Sequence, residues 1–108
     1  MASYMISFRI ANNSTYLNRY NSLVERVKFE AEDGLAWEET TSLIIIRSSK
    51  TAEQLAGAIY LGSEMSLLDT LLVVNASTGI FATRGEVKYP ATLASVLSQS
   101  NVRRTLLG

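Results

Sequence analysis

The chain has 108 residues, with ten basic and ten acidic side chains, so it has room for one domain and no excess of positive charge for non-specific phosphate binding. It contains no cysteine and no histidine, which excludes disulfides, thiolate nucleophiles, zinc–sulfur sites and histidine-based acid–base catalysis. No apolar run approaches the roughly 20 residues of a membrane span, and the first residues lack the features of a signal peptide. We therefore expect a soluble cytoplasmic protein with no cofactor and no membrane partner.

The first predicted strand covers residues 4–10, where apolar and polar side chains alternate. The even-numbered positions are apolar and form the predicted buried face, and the opposite face carries Met5, Ser7 and Arg9. Turn and N-cap residues follow at 12–15, and the apolar spacing then predicts an amphipathic helix over about 15–28. Arg19 belongs to its predicted outer face.

Residues 35–47 read as extended backbone, with a tight turn near 41–42. This pattern predicts a hairpin, and one long bulged strand is the alternative. The run of β-branched residues over 43–46 is typical of an inner strand that is buried on both faces. Trp37 and Tyr60 are expected in the core, with an interface role as the alternative.

The second half of the chain continues the mixed pattern. A cap cluster at 48–51 precedes a predicted helix over 52–61, and a short apolar strand follows at 71–74. Residues 80–83 are a possible edge strand, and Pro90 suits the first turn of a short helix. We assign a core at residues 3–76, a C-terminal extension at 77–100 and a frayed tail at 101–108.

This order of elements predicts an α+β domain, namely a ferredoxin-like βαββαβ sandwich with a C-terminal strand and helix added. Its antiparallel sheet would carry both helices on one face. We expect the first and third strands to be adjacent and parallel, which would bring their C-terminal ends, at Arg9 and Arg47, side by side.

The opening stretch at residues 4–10, YMISFRI, resembles the YxxSYDL opening of small bacterial proteins of the SinR family. These proteins are similar to the small CRISPR-associated ferredoxin-fold protein of spacer acquisition. The stretches at 37–43, 49–55 and 67–74 resemble later blocks of the same family. The resemblance covers about residues 3–76 and implies a ferredoxin-like fold and a homodimer.

One position departs from the resembling family. That family has an aspartate near the end of its first strand, where paired aspartates across a dimer have been proposed to hold a divalent metal for nuclease chemistry. Here Arg9 stands at that position, and a guanidinium repels a metal cation rather than binding it. We therefore expect no catalytic site. A metal-dependent ribonuclease or deoxyribonuclease of the CRISPR-associated or toxin type is the alternative.

A basic end of the sheet is a candidate for anion binding. Because the first and third strands are expected to be parallel neighbours, their cationic side chains and the N-termini of both helices should converge there. The candidate residues are Arg9, Arg47, Lys50, Asn13, Ser14 and Ser49. The alternative is that the polar residues simply cap helices and the cations are solvated. The neutral net charge gives a nucleic-acid partner no support.

The open face of the predicted sheet is a candidate for protein contact. It would carry Met5, Leu43, Ile45 and an apolar position of 71–74, with no aromatic residue on the first or third strand to stack on RNA bases. An apolar patch of this kind is normally covered, and either dimerisation or the C-terminal segment of the chain could cover this one. We therefore expect a non-catalytic homodimeric module, and small-ligand sensing at the dimer interface is a weaker alternative. The neighbouring Glu38 and Glu39 point to opposite faces, so they are not expected to share a metal.

Overall fold

The computed structural model describes residues 1–97 and contains a five-stranded antiparallel sheet and three helices. The strands are β1 (Ala2–Arg9), β2 (Ala36–Trp37), β3 (Leu43–Ser48), β4 (Thr70–Asn75) and β5 (Phe81–Gly85). The helices are α1 (Tyr16–Glu30), α2 (Ala52–Leu61) and α3, which begins at residue 90 and continues to residue 97. The predicted α+β class is confirmed. The end of the predicted extension and the predicted frayed tail lie outside the described residues.

The strand order in the sheet is β2-β3-β1-β4-β5, and every neighbouring pair is antiparallel. The predicted adjacency of β1 and β3 is confirmed, but the predicted parallel direction is wrong. Ala2 pairs with Ser48, and Ser7 pairs with Leu43. The reason is the number of chain reversals: α1 returns the chain, β2 repeats the direction of β1, and the hairpin then turns β3 against it.

The core lies between one face of the sheet and the helices α1 and α2. The alternation predicted for β1 is confirmed, since its even-numbered residues from Tyr4 to Phe8 are buried and the odd-numbered ones from Met5 to Arg9 are exposed. Leu23 and Val27 of α1, with Leu55 and Ile59 of α2, have no exposed surface and complete this layer. Because α1 and α2 cover the same face, the other face of the sheet stays open among residues 1–97, and we call it the open face.

The hairpin expected over residues 35–47 is present, but β2 is only two residues long. Ala36 pairs with Ile46, and Trp37 pairs with Ile45. Successive strand residues point to opposite faces, so Ala36 packs toward the core and Trp37 lies on the open face.

The predicted cap at the start of α2 forms a full capping box. The Thr51 hydroxyl accepts a hydrogen bond from the Gln54 N–H, and the Gln54 side chain accepts one from the Thr51 N–H. Within residues 1–97, no helix combines the length and the apolar composition that crossing a membrane requires.

Candidate interaction surface

A straight row of apolar side chains crosses the open face from one edge of the sheet to the other. The strand register places its members directly opposite one another, one from each strand. In spatial order they are Trp37, Ile45, Met5, Val74 and Phe81. We call these five residues the apolar row. Its central member is on β1, and an aromatic side chain stands at each end.

The apolar row is only partly covered within the described part of the chain. Trp37 is 42% exposed and Met5 is 41% exposed, and the other three members are half-buried. The expectation that residues 43–46 are buried on both faces is therefore wrong. Ile44 and Ile46 are buried beneath the helices, whereas the side chains that alternate with them face outward.

Trp37 corrects a second expectation, because it does not belong to the core. It stands on the open face beside a shallow cavity of about 360 Å³, whose lining includes Ser3, Ile45 and Arg47. Tyr60, by contrast, is partly buried and packs against the core, as expected. Sequence reasoning also missed Phe81, because β5 was predicted without assigning its faces. The pairing of Phe81 with Val74 places it on the open face.

A second row runs beside the apolar row, one step toward the end of the sheet at which Arg9 lies. It consists of Leu43, Ser7, Leu72 and Thr83, in spatial order. Ser7 is exposed, and its three neighbours are half-buried. The open face therefore presents two adjacent rows in which apolar side chains flank a small residue or a flexible methionine on β1.

The predicted anion site loses its geometric basis, since Arg9 and Arg47 lie at opposite ends of the sheet. Arg47 is on the strand position opposite Ser3, and Arg9 is six residues farther along β1. At about 3.4 Å per residue, this separates the two positions by roughly 20 Å. The expectation that the two arginines converge is wrong, because it depended on parallel strands.

Each arginine already has a partner of its own. The Arg47 guanidinium lies 2.6 Å from a carboxylate oxygen of Asp33. The Arg9 guanidinium donates to the Thr70 hydroxyl over 3.3 Å and stands 3.8 Å from the Glu86 carboxylate. At least half of each arginine side chain is exposed, so solvent and salt weaken these ion pairs.

At the start of α2, the predicted cradle of donors is occupied by the chain's own carboxylate. Glu32 accepts from the Ser49 N–H over 2.6 Å, from the Ser49 hydroxyl over 2.8 Å and from the Ser48 hydroxyl over 3.0 Å. These hydrogen bonds lower the pKa of Glu32 below its ordinary value, and the bond from the Ser49 N–H has the largest effect. Lys50 Nζ is 3.0 Å from the buried carboxylate of Glu30. Anion binding here would have to displace an internal anion.

At the start of α1, the exposed Asn13 is engaged by the buried Arg19 and by the turn before the helix. The side chain of Asn13 accepts hydrogen bonds from the Thr15 N–H and from the Arg19 guanidinium, the latter over 2.7 Å. Ser14 is exposed in the turn before the helix. Weak anion or nucleic-acid binding at these residues, or at the Arg47 end, stays a prediction, but the six candidate residues form no single site.

Arg19 is the largest departure from the predicted pattern, because it is buried although the sequence placed it on the outer face of α1. Its guanidinium forms an ion pair with Asp69, which has no exposed surface, and donates to the Ala11 carbonyl over 2.8 Å. Asp69 also accepts from the N–H groups of Ala11 and Ser66, each over 2.8 Å. No local signal identified this pair, since its members are distant in sequence.

The electrostatics of Asp69 fit a structural role. Burial by itself would raise the pKa of the Asp69 carboxyl, but the hydrogen bonds from Arg19 and from the Ser66 and Ala11 N–H groups outweigh it, and the pKa is lowered. The carboxyl is therefore ionised at neutral pH, and all of its partners belong to loops and to α1. We assign the pair to holding the fold together rather than to chemistry.

A cleft of about 480 Å³ opens where β1 ends and α1 begins. Its walls include Tyr16 and Tyr20, whose rings stack with centroids 6.0 Å apart, and Phe8, which meets Tyr20 edge to face at 5.9 Å. The Tyr20 hydroxyl donates to the Thr41 carbonyl over 3.1 Å. These contacts attach the loop between β2 and β3 to α1.

Among residues 1–97, no group of three or more histidine, cysteine, aspartate or glutamate side chains is placed to hold a metal ion. Glu38 and Glu39 follow β2, and Glu38 forms an ion pair with Lys28 of α1 at 2.7 Å. In comparisons with known proteins, no family model, no curated protein and no solved structure matches the chain.

Proposed function

We propose that this protein is a non-catalytic interaction module that binds a second copy of itself through the open face of its sheet. The observation that carries the proposal is the apolar row, which spans all five strands and leaves its tryptophan and its central methionine more than 40% exposed. Large exposed apolar patches on small domains mark association surfaces. The row is also continuous from strand to strand, so a second sheet with a matching twist can pack against it.

The size of the face agrees with a dimer. Four strands about six residues deep and spaced about 4.8 Å apart, together with the two-residue β2, give an area of roughly 420 Å². Two copies would bury on the order of 1,000 Å², which is about the lower limit for a specific interface. The composition agrees as well, because tryptophan, phenylalanine and methionine are enriched at interface centres.

We further propose that the fold is a ferredoxin-like βαββαβ unit extended by β5 and α3. Support comes from the order β2-β3-β1-β4, from the antiparallel pairing and from the packing of α1 and α2 on one face. The sequence resemblance to the SinR and CRISPR-associated families agrees with this proposal. The arginine in place of their aspartate, Arg9, supports interaction rather than catalysis.

Sedimentation at micromolar concentration tests the proposal. The expected mass is twice the chain mass of 11.9 kDa. Ile45→Glu should shift the protein to monomer, because it places a charge in the desolvated centre of the interface. Leu17→Glu is the matched control, since Leu17 is 64% exposed on α1 and should leave the dimer unchanged. A wild-type monomer without concentration dependence would reject the proposal.

Trp37 provides an independent readout, because it is the single tryptophan of the chain. If the open face is buried by association, dilution should increase the acrylamide quenching of its fluorescence and shift its emission to longer wavelength. Ile45→Glu at high concentration should reproduce the diluted spectrum, and circular dichroism of the same sample should show that the variant is folded. Quenching that is independent of concentration would contradict burial of this face.

A further inference from the structure

We propose that the second copy docks with its apolar row reversed, so that Trp37 of each copy packs on Phe81 of the other and the two-fold axis runs along β1. This inference rests on the proposed homodimer and specifies its geometry. It assigns an interface role to Phe81, whose face the sequence analysis left open, and to Leu72 among the apolar positions of 71–74.

The geometry follows from the symmetry of the row. A closed homodimer has a two-fold axis, and for two sheets packed face to face this axis lies between the faces. Met5 is the middle member of the row, with two strands on each side. If the apolar row of one copy lies directly on that of the other, an axis past Met5 runs either along the strands or across them. In both arrangements Met5 faces Met5 of the second copy.

The second row distinguishes the two arrangements. An axis along the strands places this row on the same row of the second copy, in reverse order. Leu43 of each copy then faces Leu72 of the other, and Ser7 faces Ser7. An axis across the strands moves the row to the other side of Met5. Leu43 would then face Arg47, because Arg47 and Leu43 lie at equal distances from Ile45 on β3.

The apolar match decides in favour of the axis along the strands. It packs the half-buried Leu43 and Leu72 against each other, whereas the other arrangement buries Leu43 against a guanidinium. The two aromatic residues find apolar partners in both arrangements and do not distinguish them. Its cost is that Arg9 faces Arg9 across sheets about 10 Å apart. The Arg9 side chain is 57% exposed and has Glu86 nearby. Arg9 is the last residue of β1, so its guanidinium can stay in solvent at the rim of the interface, where salt screens the repulsion.

Cross-linking on β1 tests the axis, because the chain has no native cysteine. Ser3→Cys, Met5→Cys and Ser7→Cys are small changes at open-face positions of one strand, and a short bis-maleimide reagent can join cysteines that face each other. We expect Ser7→Cys alone to form covalent dimers as efficiently as Met5→Cys. A mixture of the Ser3→Cys and Ser7→Cys proteins should form no covalent heterodimer that joins one variant to the other.

The outcomes separate this inference from the homodimer itself. If Met5→Cys cross-links but Ser7→Cys does so only when it is mixed with Ser3→Cys, the axis runs across the strands and the inference is wrong while the homodimer stands. If Met5→Cys fails to cross-link under conditions in which sedimentation shows a dimer, another surface forms the dimer and both proposals are wrong. Phe29→Cys, 74% exposed on α1, should stay uncross-linked throughout.

Discussion

The guanidinium of Arg19 and the carboxylate of Asp69 form a buried ion pair between residues fifty positions apart in sequence. The pair joins α1 to the segment before β4, and its remaining hydrogen bonds fix the loop between β1 and α1. No buried side-chain nitrogen or oxygen of Arg19 or Asp69 is without a hydrogen-bond partner. Such a network is stabilising as a unit, and removing one charge leaves the other buried without a partner.

We expect Asp69→Asn to reduce the free energy of unfolding by at least about 2 kcal/mol, because it leaves the buried Arg19 guanidinium without a charged partner. Glu53→Gln makes the same chemical change in an exposed pair, in which Glu53 lies 2.9 Å from Arg84. It should cost less than about 1 kcal/mol. Urea denaturation of the two variants measures both effects. Equal losses would mean that the buried pair has no special structural role.

Stability should decrease in acid. The folded-state pKa values of Asp69, Asp33 and Glu32 are lowered, so protons bind more tightly to the unfolded chain, in which these groups have pKa values of about 4. Their contribution is complete above about pH 5 and is lost as the pH falls toward the folded-state values. Urea denaturation across this range should show a steep acid loss in the wild type and a shallower one in Asp69→Asn. Parallel curves would contradict the assignment to Asp69.

Gly85→Ala should be strongly destabilising. Gly85 has φ +79°, and a Cβ there would stand 1.9 Å from the Asp69 carbonyl oxygen, which accepts the Glu86 N–H. Gly34→Ala separates the two causes, because Gly34 has φ +75° with no atom within 4 Å of the added Cβ. We expect about 1–2 kcal/mol of backbone strain at Gly34 and a clearly larger loss at Gly85. Thermal denaturation of both variants measures the difference, and similar losses would exclude the clash.

We expect no metal-dependent nuclease activity, because Arg9 replaces the aspartate of the resembling families. Labelled single-stranded RNA and duplex DNA, incubated with the purified protein and magnesium or manganese, should remain intact relative to a control without protein. Cleavage that Asp69→Asn or Glu38→Gln abolished in a folded protein would reverse this prediction and show that the chemistry lies elsewhere.

The sequence by itself determined the local elements. Strict alternation in β1, helical spacing in α1 and α2, and the cap cluster at 48–51 identified these segments, because each signal depends on neighbouring residues and on one buried face. The open-face positions Met5 and Ile45 followed from the same alternation. The boundaries were less certain where the pairing partner sets the length, as in β2.

Only the tertiary structure decided which residues share a site. The direction of β3 depends on the number of chain reversals, and it separated Arg9 from Arg47. The apolar row required the register of four strand pairs, which no local pattern encodes, and so Trp37 and Phe81 joined Met5 only in the folded sheet. Arg19 is buried for the same reason. Its partner Asp69 arrives from a distant segment, and the ion pair offsets the cost of removing the guanidinium from water.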